Sequence, residues 1–124
     1  MPIQLAGTVL LVEDDEDSRE LMAEVLEAAG FAVRGVGSGE EALRALAERR
    51  PDAVVTDVGM PGVGGLEVAQ AAKALDVTLP VLVVTGYSAR ADLARAEGKE
   101  IDRLLVKPVD PDALVAALRR LLPR

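Results

Sequence analysis

Cysteine, histidine and tryptophan are all missing from this 124-residue chain. Without cysteine there is no disulfide, and without thiolates or imidazoles only oxygen ligands remain for a metal. A hard cation such as Mg²⁺ or Ca²⁺ is therefore compatible with the chain, and zinc chemistry is not. The missing histidine removes the commonest general base and any phosphohistidine, so a phosphoryl group handled here has to come from another protein. Aromatics are almost absent, with Phe31 and Tyr87 the only two, yet 50% of residues are hydrophobic. The core must be built from Val, Leu and Ala, and intrinsic disorder is excluded. Long apolar runs are lacking as well. The stretch MPIQLAGTVLLV has no Lys or Arg and reaches Glu13 too soon for a signal peptide or a membrane span. A cytoplasmic protein without membrane contact is expected. Acids outnumber bases by 21 to 14, for a net charge of −7, which argues against direct binding to nucleic acid.

What is present is a repeated alternation of periods. A short apolar run at Val9–Val12 precedes Leu21, Met22, Val25, Leu26 and Ala29 at helical spacing, closed by Gly30. The same unit recurs as Ala32–Val36 before a helix around Glu40–Glu48, Ala53–Thr56 before Leu66–Leu75, and Val81–Val84 before a weaker helix around Ala89–Ala96. A final strand, Leu104–Val106, precedes Asp112–Leu122. Leu43, Leu46, Leu114 and Leu118 fall on the core faces of their helices. Five apolar strands alternating with five helices predict an α/β fold, a five-stranded doubly wound parallel sheet buried on both faces. A single domain spanning 1–124, with its core over about 8–122 and no output domain, is expected.

In such folds ligands bind beyond the carboxyl ends of the strands, so the residues there carry the chemistry. They are Glu13, Asp14 and Asp15 after the first strand, Asp57 after the third, Thr85 after the fourth and Lys107 after the fifth. Each has a plain explanation when taken singly. Asp15 or Asp17 would cap a helix, Asp57 would sit in a turn before Gly59 and Pro61, Thr85 would be a cap, and Lys107 a surface lysine. Their common position at one sheet end is what those explanations leave out. Clustered carboxylates repel by about 1 kcal/mol per pair at about 4 Å in water, and by about 4 kcal/mol at an effective dielectric of about 20. Such a cluster needs a counter-ion, and Mg²⁺, which keeps several waters and accepts phosphate oxygens, suits it. Met60-Pro61-Gly62 and Gly64-Gly65 shape the loop after Asp57 rather than cradle a nucleotide, since no G-x-x-x-x-G-K-[ST] occurs.

The segments VLLVEDDEDSRELM, GEEAL, PDAVVTDVGMPGVGGLEV, VLVVTGYSA and LLVKPVDPDAL follow one another in order. In these the chain resembles the CheY-like receiver domains of two-component response regulators, from Thr8 to about Leu122. The resemblance implies a flavodoxin-like fold with Asp57 as phosphoacceptor. It places Mg²⁺, or Mn²⁺, on Asp14, Asp57 and the Gly59 backbone carbonyl, with Glu13 acting through water. Thr85 becomes the switch hydroxyl and Lys107 the phosphate-contacting lysine, joined to Pro108 by a cis peptide. The implied partners are a histidine kinase or histidine phosphotransfer protein and an unknown downstream protein, with the chain a monomer or weak homodimer. It is not a conventional enzyme, catalysing only its own phosphorylation and dephosphorylation. The wording of VVTGYS and LLVKPVDPDAL leans toward the receiver of a hybrid histidine kinase; a stand-alone regulator is the alternative.

The chain departs from the family pattern at Leu104, where Tyr or Phe is usual. Altered coupling is expected between the site and the face formed by the helix around Ala89–Ala96, the last strand and the last helix. The segment around Gly98, Lys99 and Glu100 predicts a short or frayed helix before it. Gly86 leaves room for the Thr85 loop to move inward, with a purely structural turn as the competing reading. Tyr87 and Gly59 are expected to set together how fast the phosphate is lost. Two other functions compete: a receiver-like interaction module that takes no phosphate, and a Mg²⁺-dependent aspartyl phosphatase. The latter needs an acid two residues after its nucleophile, where Gly59 stands.

Overall fold

The computed structural model describes residues 7–86 and 100–122. Tyr87, the helix expected around Ala89–Ala96, Gly98 and Lys99 lie outside the described residues. Within them the order is β1 (Gly7–Val12), α1 (Glu16–Ala28), β2 (Phe31–Val36), α2 (Gly39–Glu48), β3 (Ala53–Asp57), α3 (Gly65–Leu75), β4 (Val81–Thr85), β5 (Arg103–Val106) and α4 (Pro111–Leu121). All strands are parallel in one sheet of order β2-β1-β3-β4-β5.

Period-two alternation along the strands divides the interior into two clusters on opposite sheet faces. Leu10, Val12, Val54, Val81 and Val83 point toward α2 and α3, where they meet Ala42, Ala45, Leu46, Val68 and Ala72. Val9, Leu11, Val55, Leu82 and Val84 point toward α1 and α4, where they meet Leu26, Leu114, Ala117 and Leu118 around Phe31. Burying each large aliphatic stabilises the fold by about 1.5–3 kcal/mol. The expectation of burial on both faces holds for β3 and β4 along their whole lengths. It fails at the edges: β2 exposes Arg34 and Gly35, and β5 is buried nowhere along its length. An edge strand has a neighbour on one side only, so less of it is covered. Leu43 is also only half-buried and belongs to neither cluster. The core stripe of α2 runs through Ala42, Ala45 and Leu46, and Leu43 falls at its margin.

The helices start where side chains satisfy their free amides. Asp15 caps α1, accepting from Ser18 N at 2.9 Å, and Ser38 caps α2, accepting from Glu41 N at 3.1 Å. Asp110 caps α4 through Ala113 N at 3.1 Å, with Pro111 at the first helical position. That puts the start of α4 one residue earlier than the apolar period indicates. Each cap is worth about 1 kcal/mol. At α3 the cap position is Gly64, and Glu67 instead accepts from Gly64 N at 3.1 Å.

Strand order reverses between β1 and β3, and the crevice beyond their carboxyl ends is where such sheets bind ligands. Glu13 and Asp14 follow β1, and Asp57 ends β3.

Candidate functional site

Asp57 is the last residue of the fully buried β3 and is itself 7% exposed. Its Oδ1 accepts from Val58 N at 2.7 Å and from Gly59 N at 3.3 Å, so the turn that follows the strand fixes that oxygen. Its Oδ2 faces Lys107 Nζ at 3.1 Å. The main chain of Asp57 is fixed too. Thr56 Oγ1 donates to its carbonyl at 2.9 Å, and Gly65 packs so closely that a Cβ there would collide with the same carbonyl.

Glu13 is 1% exposed, the most deeply buried charge among the described residues. Its Oε2 accepts from Asp15 N at 3.1 Å and its Oε1 lies 3.5 Å from Lys107 Nζ. Burial pushes the Glu13 carboxyl above its ordinary range; the Asp15 amide pulls it down, Asp57 pushes it up and Lys107 pulls it down again, and the net shift is upward. Burial alone would pull the Lys107 ammonium down, but its hydrogen bond to Asp57 and the charges of Asp57 and Glu13 outweigh that and raise it. Lys107 is thus a committed cation.

Asp14, exposed, completes the group: one carboxylate oxygen each from Glu13, Asp14 and Asp57 lies within 4.8 Å of the others. At about 5 Å two like charges repel by about 3 kcal/mol at an effective dielectric of about 20. One half-exposed lysine does not neutralise three carboxylates. The donor set, all carboxylate oxygen without thiolate or imidazole, fits a hard divalent cation.

Thr85 is buried at the end of β4, and its carbonyl accepts from Lys107 N at 2.8 Å, tying the two residues through their main chains. Its hydroxyl donates to Gly86 O at 3.2 Å. The Lys107–Pro108 peptide is cis, as the sequence resemblance implies. Among the described residues, neither Gly59 nor Gly86 would bring an added Cβ within 4 Å of another group. Leu104 pairs with Val83 on β4 and packs, partly buried, against the α2 and α3 cluster. A cleft of about 510 Å³ opens over Glu13 and Lys107, walled by Ser18, Leu21, Met22, Val84, Pro108 and Val109. A smaller cavity of about 270 Å³ lies away from the carboxylates, at the start of β1 and beside β2, roofed by the Arg34–Glu48 ion pair.

Glu13, Asp14, Asp57 and Lys107 are therefore brought together as the sequence predicts, Thr85 is adjacent through its main chain, and Tyr87 lies outside the described residues. Sequence reasoning missed two residues. Thr56, buried one position before Asp57, holds the Asp57 carbonyl. Arg19 donates from Nη1 to the Glu13 carbonyl at 2.9 Å. A basic residue in the first turn of a helix, where the macrodipole disfavours it, was the available signal for the second.

The model of the response regulator receiver domain matches residues 9–119. Among curated relatives, the transcriptional regulatory protein PrrA of Mycobacterium tuberculosis is 39% identical over 116 residues, covering 94% of this chain and 50% of PrrA. The chain spans about half the length of the curated relatives it matches. Among solved structures, a response regulator receiver domain protein from Clostridium thermocellum superposes with a TM-score of 0.87 at 25% identity, covering 92% of each chain. The receiver domain of a signal transduction histidine kinase from Syntrophus aciditrophicus gives 0.84 at 32% identity, covering 94% of this chain and 90% of that one.

Proposed function

The chain belongs to the response regulator receiver family, and from that premise we propose that Asp57 takes a phosphoryl group from the phosphohistidine of a kinase or phosphotransfer protein. The observation that carries this reading is the convergence of Asp57 Oδ2 and Glu13 Oε1 on Lys107 Nζ, at 3.1 and 3.5 Å, from the ends of three different strands. With Oδ1 held by two backbone amides, Oδ2 is the oxygen that attacks phosphorus. The P–N bond of the donor breaks as the P–O bond forms, and the donor ring nitrogen keeps the electron pair.

Asp14 and Asp57 would hold Mg²⁺, with the Gly59 carbonyl, and Glu13 would act through water. When bound, the ion supplies positive charge against the phosphoryl oxygens. Lys107 then transfers its ion pair from the Asp57 carboxylate to the phosphoryl group. The Thr85 hydroxyl exchanges its 3.2 Å bond to Gly86 O for one to a phosphoryl oxygen, at a cost of about 1 kcal/mol for the bond given up. Because Lys107 N donates to Thr85 O, the two movements are joined. Leu104 stands where an aromatic side chain would follow the threonine, so the conformational output at β5 differs from that of aromatic-bearing receivers. The downstream partner is a protein that distinguishes the two states.

The test is intact mass after incubation with Mg²⁺ and acetyl phosphate. One added phosphoryl group is expected, absent from Asp57→Asn and from metal-free controls. A phosphoryl adduct that persists in Asp57→Asn overturns the assignment of Asp57. No adduct, together with no Mg²⁺ binding by calorimetry, overturns the phosphoacceptor reading in favour of a contact module.

A further inference from the structure

We infer that Arg19 is a positioning residue for the acidic pocket: it holds the Glu13–Asp14 peptide in the plane that presents Asp14 beside Asp57, and Gly37 after β2 is bare beside its guanidinium. The inference rests on the metal-binding reading given above and assigns a part of it to a residue outside the carboxylate set.

Arg19 sits in the first turn of α1, where a cation gains nothing from the helix and is mildly opposed by its dipole. Its side chain runs back across the loop between β1 and α1, and Nη1 donates to Glu13 O at 2.9 Å. That carbonyl belongs to the peptide whose other half is the Asp14 amide, so the bond sets the orientation of the unit from which the Asp14 side chain springs. The preceding peptide is fixed independently, with Glu13 N donating to Val36 O at 3.1 Å. Glu13 is thereby pinned on both sides of its Cα, while Asp14 is exposed and takes its position from the main chain.

The path of Arg19 bears on one glycine that the fold itself does not require. Leu11 pairs with Gly35 and Val12 with Val36, which brings Gly37 level with Glu13. A Cβ on Gly37 would meet Arg19 Nη1 at 3.1 Å, so the guanidinium would have to give way, whereas one on Gly35 would make only ordinary contact with Arg19 Cγ and Cδ at 3.4 Å. Neither glycine has a positive φ, so backbone freedom is not the reason for either. Glu41 accepts from Gly37 N at 3.0 Å and holds that turn in place.

A cation whose only effect on a divalent ion were repulsion would weaken its binding, and removing it would tighten binding. Positioning gives the opposite sign, because a loosened ligand peptide lowers affinity. Three variants separate these: Arg19→Met keeps the apolar stem and loses the donor, Arg19→Lys keeps a donor one bond shorter, and Gly37→Ala moves the guanidinium from outside. Calorimetric titration with Mg²⁺ should show Arg19→Met binding roughly tenfold more weakly than wild type, the range seen when an outer partner of a metal ligand is lost. Arg19→Lys should recover most of that, and Gly37→Ala should fall between. In the metal-free proteins the amide resonances of Asp14 and Asp15 should move in Arg19→Met and Gly37→Ala and return in Arg19→Lys. Equal or tighter Mg²⁺ binding by Arg19→Met, or unmoved Asp14 and Asp15 amides in the metal-free variant, overturns the role of Arg19. If wild type itself takes up no Mg²⁺, the metal-binding reading fails, and the metal-free amide resonances still decide whether Arg19 positions the peptide.

Discussion

The two ends of the sheet use the same residue types to opposite effect. At the amino end, among the described residues, Asp102, Asp76 and Asp52 each have a partner. Asp102 pairs with Lys73 at 2.7 Å and accepts from Val81 N at 2.8 Å, while Lys73 also donates to Leu79 O at 2.8 Å. Asp76 caps its own turn through Thr78, pairs with Arg50 at 2.7 Å, and those contacts pull its carboxyl down to about 2. Asp52 accepts from Thr8 N at 2.7 Å. At the carboxyl end three carboxylates crowd within 4.8 Å around one half-exposed lysine, and burial pushes Glu13 upward instead. One end is electrostatically closed and serves stability. The other is left short of positive charge among the described residues.

The sharpest way to break this contrast is to remove one acid from each end. Asp57→Asn should abolish the added phosphoryl group altogether by intact mass, yet leave the chemical unfolding free energy within about 1 kcal/mol, the value of an ordinary hydrogen bond. Asp102→Ala should do the reverse, costing about 2 kcal/mol in denaturant unfolding because Lys73 and the Val81 amide lose a partly buried partner. Its phosphorylation should match wild type; a large loss of both stability and phosphorylation would show that the two ends are not independent. Asp14→Asn should raise the melting temperature of the metal-free protein by relieving like-charge repulsion, and should erase the further rise that Mg²⁺ gives wild type.

The smallest effect concerns pH. The carboxyl of Asp76 is lowered from 3.8 to about 2, so its ionised form is favoured by folding. That contribution is fully present above 3.8 and is lost as pH falls toward about 2. Asp76→Asn should therefore melt slightly below wild type at neutral pH, with the gap closing as both are titrated toward pH 2. A gap that stays constant over that range would show that Asp76 acts through shape rather than charge.

Most of the sheet was legible in the sequence because buried parallel strands announce themselves as short apolar runs and because strand ends carry the chemistry in such folds. Asp57, Lys107 and Glu13 could be placed for that reason alone. Arg19 and Thr56 could not, since each acts on a main-chain carbonyl, and no local period encodes which carbonyl a side chain will reach. Gly37 looks like an ordinary turn glycine until the register of β1 against β2 puts it level with Glu13 and beside Arg19. Leu43 departs from the core because apolar character fixes a helical stripe only to within its margins, and Leu43 lies on one. The start of α4 was read one residue late because the signal was the apolar repeat, whereas the helix begins at the Asp110 cap and Pro111.

Among the described residues, the two clusters on opposite faces of the sheet have no side chain in common. Substitutions far apart and without shared partners act additively. A change among the packed residues of α1 and α4 therefore asks for compensation only within its own cluster, and leaves the packing of α2 and α3 as it was. One outer surface of such a chain can thus be redrawn while the packing that positions the strand ends is kept.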